Sequence, residues 1–144
     1  MITDPLLTVK SILSNNWNSS NTENIKPRFF ENKSIKEILS IEPVNDTLTF
    51  YKLASTQTTN SLGTASREWK DPVTIDIVTM KSREHLLLMV NEVDRIISAK
   101  IIIPDSNYDI LDPDGTSQKD WSDTYKGIFR WTYDIILIKS NESR

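Results

Sequence analysis

The sequence predicts a single α+β domain: one antiparallel or mixed sheet with helices packed on one face, in the order α-β-β-β-α-β-β. Two alternating runs and one helical run carry this reading. Val73, Ile75 and Ile77 alternate with Thr74 and Asp76, and Phe129, Trp131, Tyr133, Ile135 and Leu137 alternate with Arg130, Thr132 and Asp134. A period of two marks strands whose faces are lined differently. Between them Leu86, Met89, Val90, Val93 and Ile97 recur at the spacing of one helical face. Strands that follow one another with few intervening helices point to an antiparallel or mixed sheet rather than to repeated βαβ units. The chain has 144 residues, enough for one self-sufficient core, and shows neither an internal repeat nor a domain boundary.

The first element is a helix from Asp4 to Trp17. Thr3 or Asp4 caps it, Pro5 suits its first turn, and Leu6, Val9, Leu13 and Trp17 share a face. The polar run 15–24 reads as a mobile loop, and its Asn18-Ser19-Ser20 as part of that loop rather than as a glycosylation acceptor. Ile25 to Phe30 forms a short strand that Pro27 places at an edge. Ser34-Ile35-Lys36-Glu37 matches a capping box for a turn or two of helix through Leu39. Thr47 to Ala54 alternates as a strand, and 55–67, rich in Thr, Ser and Asn, reads as a second mobile loop. Asp71-Pro72 signals a turn before the strand Val73 to Thr79, which buries one face, and Ser82 caps the main helix. Ile101 to Ile103 and Tyr108 to Leu111 make short strands, Asp112-Pro113-Asp114-Gly115 a turn, and the closing strand runs nearly to the C-terminus.

Composition removes several kinds of chemistry. With no cysteine there is no disulfide, thiol nucleophile or thiolate metal site, and with His85 as the single histidine a multi-histidine site cannot be built. The three glycines, Gly63, Gly115 and Gly127, lie too far apart for a phosphate-binding loop of either common type. A formal net charge of -3 disfavours a protein that coats nucleic acid. The opening Met1-Ile2-Thr3-Asp4-Pro5 lacks the regions of a signal peptide, and no apolar run approaches the ~20 residues of a membrane span.

The remaining candidate residues each have a plain alternative. Asp109, Asp112, Asp114, Asp120 and Asp123 invite a calcium loop, but with Gly115 at the sixth position the first and twelfth fall on Ile110 and Trp121, so no metal is expected. His85, beside Glu84 in the first turn of the main helix, has no identifiable nucleophile or orienting partner and reads as a surface or half-buried structural histidine; no catalytic residue is expected. Lys126-Gly127-Ile128-Phe129-Arg130-Trp131 has the flavour of a base-stacking strand, but Ile128 stands where an aromatic is needed, and the aromatics read better as the core face beneath the helix. Trp69, Trp121 and Tyr125 sit in polar, loop-like surroundings; they are candidate protein-interface anchors or local lids on the core.

The opening helix, the strands Thr47 to Ala54 and Val73 to Thr79, the helix opened by Ser82-Arg83-Glu84-His85-Leu86, and the closing Tyr125 to Lys139 follow one another in a distinctive order. Asp71-Pro72-Val73-Thr74-Ile75-Asp76-Ile77 leads into that capped helix, then come Trp121-Ser122-Asp123 and Arg130-Trp131-Thr132-Tyr133-Asp134. In these stretches the chain resembles the tail-terminator and neck (head-tail connector) proteins of tailed viruses, archaeal virus members in particular. The resemblance implies a non-enzymatic virion protein without a cofactor. Its subunits would form a ring, a hexamer, that caps the tail tube and joins it to the head, with tail-tube and neck or head-completion proteins as partners. Location would be the virion tail or neck, and the host cytoplasm during assembly, with no membrane and no sequence-specific nucleic acid involved. The rival expectations are a small nucleic-acid-binding module using strand 126–133, and a small-ligand-binding protein.

Overall fold

The computed structural model describes residues 4–32, 46–52, 56–59, 67–99, 110–113, 118–123 and 127–141. Its element order is α1 (Pro5–Asn16), a 3-10 turn (Ser19–Thr22), β1 (Arg28–Glu31), β2 (Thr47–Lys52), β3 (Thr56–Thr59), β4 (Arg67–Thr79), α2 (Arg83–Ala99), β5 (Ile110–Pro113), β6 (Lys119–Asp120) and β7 (Phe129–Asn141). This is the expected α+β order with two short strands, β3 and β6, added. The predicted helical turn at Ser34–Leu39 and strand at Ile101–Ile103 lie outside the described residues.

The sheet is mixed, in the order β1-β2-β4-β7-β5, with β3 also on β4 and β6 also on β7. β1 runs parallel to β2 and the other pairs are antiparallel. Its spine is the β4–β7 pair, thirteen residues each, registered from Arg67↔Asn141 to Thr79↔Phe129. The register places Leu48 and Phe50 of β2 beside Ile77 and Ile75 of β4, which lie beside Trp131 and Tyr133 of β7. Both helices pack on this face: Leu6, Val9 and Leu13 of α1 and Leu86, Met89, Val93, Ile96 and Ile97 of α2 join those side chains in one core. Burial of such a two-layer interior is the main driving force for the fold. Phe129 and Trp131 lean on that core and Tyr133 lies inside it, so the aromatic alternation faces the helices.

The structure departs from the sequence reading in five places. The run 15–24 contains the end of α1 and a 3-10 turn: Asn16 Nδ2 donates to Ile12 O at 2.7 Å in the last turn of the helix, and Asn18 Oδ1 caps the 3-10 turn through Ser20 N. The run 55–67 contains β3, which adds to β4 by backbone pairing that needs no apolar alternation. Asp71-Pro72 lies inside β4 instead of preceding it as a turn: among the described residues β2 pairs with Val73–Val78 and β3 with Arg67–Lys70, so Pro72, which lacks an N–H, falls between the two described ladders. Asp112 and Pro113 belong to β5, an edge strand where proline is tolerated. The last is that β4 buries both faces from Ile75 to Thr79: the helices cover one, and on the other the Arg130 side chain lies on Asp76.

Candidate functional site

Among the described residues three polar constellations tie the elements together, and one of them lines a depression in the surface. The first forms where β6 meets β7 on the sheet face away from the helices. Trp121 N donates to Arg130 O at 2.8 Å, Arg130 N donates to Ser122 Oγ at 3.1 Å, and Ser122 N donates to Asp120 Oδ1 at 2.9 Å. The tip of this hairpin closes through two backbone bonds between Asp123 and Ile128, with Gly127 at φ 68, a conformation that suits glycine. Trp121, 49% exposed, is thus held at its backbone, and its indole N–H donates to Thr132 Oγ1 at 3.0 Å.

The Lys119 ammonium lies 3.8 Å from the Trp121 ring centroid, and the Arg130 guanidinium 5.9 Å from it, both within reach of the ring quadrupole. Thr74, Lys119, Trp121, Arg130, Thr132 and Asp134 line an open depression of about 310 Å³. Arg130 is aimed by fully buried Asp76, which accepts from its Nε at 2.9 Å and its Nη2 at 2.7 Å. This partner holds the guanidinium above its ordinary pKa and so keeps it charged. At the rim Arg83 pairs with Asp120; burial alone would raise that carboxyl, but Ser122 and Arg83 hold it below its ordinary value.

The second constellation clamps the start of the chain to α2. Glu92, almost fully buried, accepts from Asn18 N at 2.6 Å, Asn21 Nδ2 at 2.9 Å, and Arg95 Nε and Nη2, both at 2.7 Å. Burial pushes this carboxyl up, yet Arg95, Asn18 and Asn21 together outweigh it and hold it below its ordinary value. The stabilisation is then present above the unfolded value of about 4.3 and is lost as pH falls through the lower folded one. Calorimetry should show a thermal midpoint that drops on acidification below about pH 4 and drops less in Glu92→Gln. Equal acid sensitivity of the two proteins would remove Glu92 as the source.

The third constellation surrounds His85, which is fully buried. Its Nδ1 lies 2.8 Å from Glu23 Oε1, and its Nε2 is hydrogen-bonded to Asp46 Oδ2. Asp46 Oδ1 accepts from Thr79 Oγ1 at 2.7 Å, and Glu23 Oε2 accepts from Lys81 Nζ at 3.1 Å. The His85 ring and the Lys81 ammonium hold the Glu23 carboxyl below its ordinary range. In this chain of groups a carboxylate separates the imidazole from the threonine hydroxyl, so the imidazole does not activate Thr79 as a nucleophile.

Of the candidate interface residues, Trp121 forms the open platform. Trp69 lies in β4 opposite Lys139, whereas Asp120, beside Trp121, pairs with Trp131, eight residues or roughly 26 Å along β7. The two tryptophans are thus not brought together, and Tyr125 lies outside the described residues. Of the acidic residues weighed as a calcium loop, Asp120 is paired with Arg83, and Asp109 and Asp114 lie outside the described residues. Among the described residues no group of three or more His, Asp or Glu is disposed to hold a metal ion, and no helix is long and apolar enough to cross a membrane.

His85, Asp76 and Glu92 escaped the sequence reading as organising groups. A signal was present for two of them: His85, Met89, Glu92 and Ile96 fall on one helical stripe, so both polar residues had to be buried and partnered. No protein-family model matches the chain, and no curated protein matches it.

Proposed function

We propose that the chain is a structural, ring-forming subunit of a tailed-virus particle, of the tail-terminator or neck kind, which caps a tail tube and joins it to the head. The sequence resemblance in the stretches given above motivates this reading, and the observation that carries it is the pinned, half-exposed Trp121. A tryptophan held in one orientation loses little entropy on contact and buries a large area, which is why tryptophan and arginine dominate interface hot spots. The edge strand β1 supports the same reading: Arg28 N and Asn32 N bond to Asp46 O and Phe50 O of β2, so the intervening Phe29 and Glu31 turn their backbone groups to the outer edge. Among the described residues no strand pairs with that outer edge, and such an edge readily pairs with a neighbour.

Light scattering coupled to size exclusion, followed by negative-stain imaging, tests the proposal. The expected result is a ring of subunits, alone or on a tail-tube protein. Trp121→Ala is expected to weaken association by about 30-fold, the effect of a hot-spot truncation of roughly 2 kcal/mol. A strictly monomeric protein at high concentration, with no association with a tail tube, would overturn it.

A further inference from the structure

A buried imidazole with a carboxylate on each nitrogen is an unusual way to hold a turn. Four elements meet at His85: the end of the 3-10 turn supplies Glu23, the entrance to β2 supplies Asp46, the end of β4 supplies Thr79 and then Lys81, and the first turn of α2 supplies the ring itself. Ser82 Oγ accepts from the His85 backbone N–H at 3.0 Å, fixing the ring's position in that turn. We propose that His85 is a proton-operated latch: as an imidazolium it clamps the Glu23 turn and the Asp46 strand entrance to α2, and on losing a proton to solvent it releases the turn.

The reason lies in the count of donors. An imidazolium has two N–H groups and satisfies both carboxylates, whereas a neutral ring has one N–H and one lone pair. The lone pair then faces a carboxylate oxygen at a ring that is itself fully buried, and that contact is repulsive. The two carboxylates differ in their freedom to leave. Asp46 is 5% exposed and is held on its other oxygen by Thr79, so it keeps the remaining N–H. The Glu23 side chain is 43% exposed, and its other partner, Lys81, is 45% exposed, so this pair can move into water together.

The backbone is poised for the same outcome. Glu23 and Asn24 both adopt left-handed conformations, with φ of 55 and 63, which non-glycine residues hold only when their surroundings impose them. With the Glu23 anchor gone, the turn relaxes. The Glu92 clamp on Asn18 and Asn21 does not involve His85, so the opening is confined to the residues after Asn21.

His85 is the single histidine, so its ring proton resonances report its charge without ambiguity. The amides of Asn24 and Ile25, bonded to Ser19 O and Thr22 O, report the turn, and the amide of Asn18 reports the clamp. Native-state NMR across about pH 5 to 9 is expected to show the protection of Asn24 and Ile25, corrected for intrinsic exchange, falling at least tenfold as the ring deprotonates. Asn18 should stay within about twofold. In Glu23→Gln, which removes the carboxylate on Nδ1, the protection of the two turn amides should no longer change with the charge of the ring. Protection that stays constant while the ring changes charge, a ring whose charge does not change in this range, or turn amides in Glu23→Gln that respond as they do in the native chain would each overturn the latch.

Discussion

Replacing Phe50 by alanine should lower stability by about 4 kcal/mol, within the 3 to 5 found for buried phenylalanine. Phe50 is fully buried on β2, directly opposite Ile75, and its ring stacks on that of Phe29 with centroids 6.5 Å apart. Phe29 in turn meets Trp17 edge-on at 5.9 Å. This line of rings joins the end of α1 to the edge strand β1 and then to the centre of the sheet. The truncation therefore removes transfer free energy and also the support beneath two other aromatics. For a domain of this size roughly 3 to 4 °C of thermal midpoint follows each kcal/mol, so a fall of about 14 °C is expected by calorimetry. Phe50→Leu, which keeps most of the volume, should cost under about 1.5 kcal/mol. Equal losses from both substitutions would mean that the ring contacts, and not the filled volume, carry the effect.

What could be read from the sequence was whatever repeats locally. Leu86, Met89, Val90, Val93 and Ile97 are all buried in α2, as their spacing required, and Leu6, Val9, Leu13 and Trp17 likewise form the inner face of the first helix. The alternations at Val73–Ile77 and Phe129–Leu137 correctly marked the face that the helices cover. Beyond reach were pairings that join residues far apart in the chain. His85 meets Glu23 and Asp46 across 62 and 39 positions, and Glu92 meets Asn18 and Asn21 across 74 and 71. Nothing near Glu23 or Asn18 in sequence marks it as a partner, because a hydrogen bond between distant segments leaves no periodic trace. β3 was missed for a related reason: Thr56-Gln57-Thr58-Thr59 carries no apolar alternation, and only the backbone of β4 makes it a strand. The platform was half legible. Trp121 was singled out as a large aromatic in polar surroundings, whereas the Lys119 ammonium over its ring and the alignment of Arg130 by Asp76 depend on the register of β6 and β4 against β7.

Asp76 is the second residue whose loss should be severe. It is fully enclosed on the sheet face opposite the helices, and its carboxylate grips the Arg130 fork through Nε and Nη2, while the Arg130 side chain stays 28% exposed. Truncating one member of a buried pair typically costs 3 to 5 kcal/mol because the other charge is left without compensation. Since Arg130 can turn partly into water, about 3 kcal/mol is expected for Asp76→Ala. If the cost comes from the orphaned guanidinium, Asp76→Ala/Arg130→Leu should be less destabilised than the sum of the single changes by about 2 kcal/mol, read from urea midpoints in a double-mutant cycle. The same change reaches the platform. Arg130 lies 5.9 Å from the Trp121 ring and its carbonyl holds the Trp121 amide, so a guanidinium released from Asp76 moves against the ring that the proposed interface uses. The Trp121 indole N–H resonance should therefore shift in Asp76→Ala and return toward its native position in the double variant. An additive cycle with an unmoved indole signal would show that Asp76 stabilises the sheet without aiming Arg130, and the platform would then owe its geometry to the β6–β7 hairpin alone.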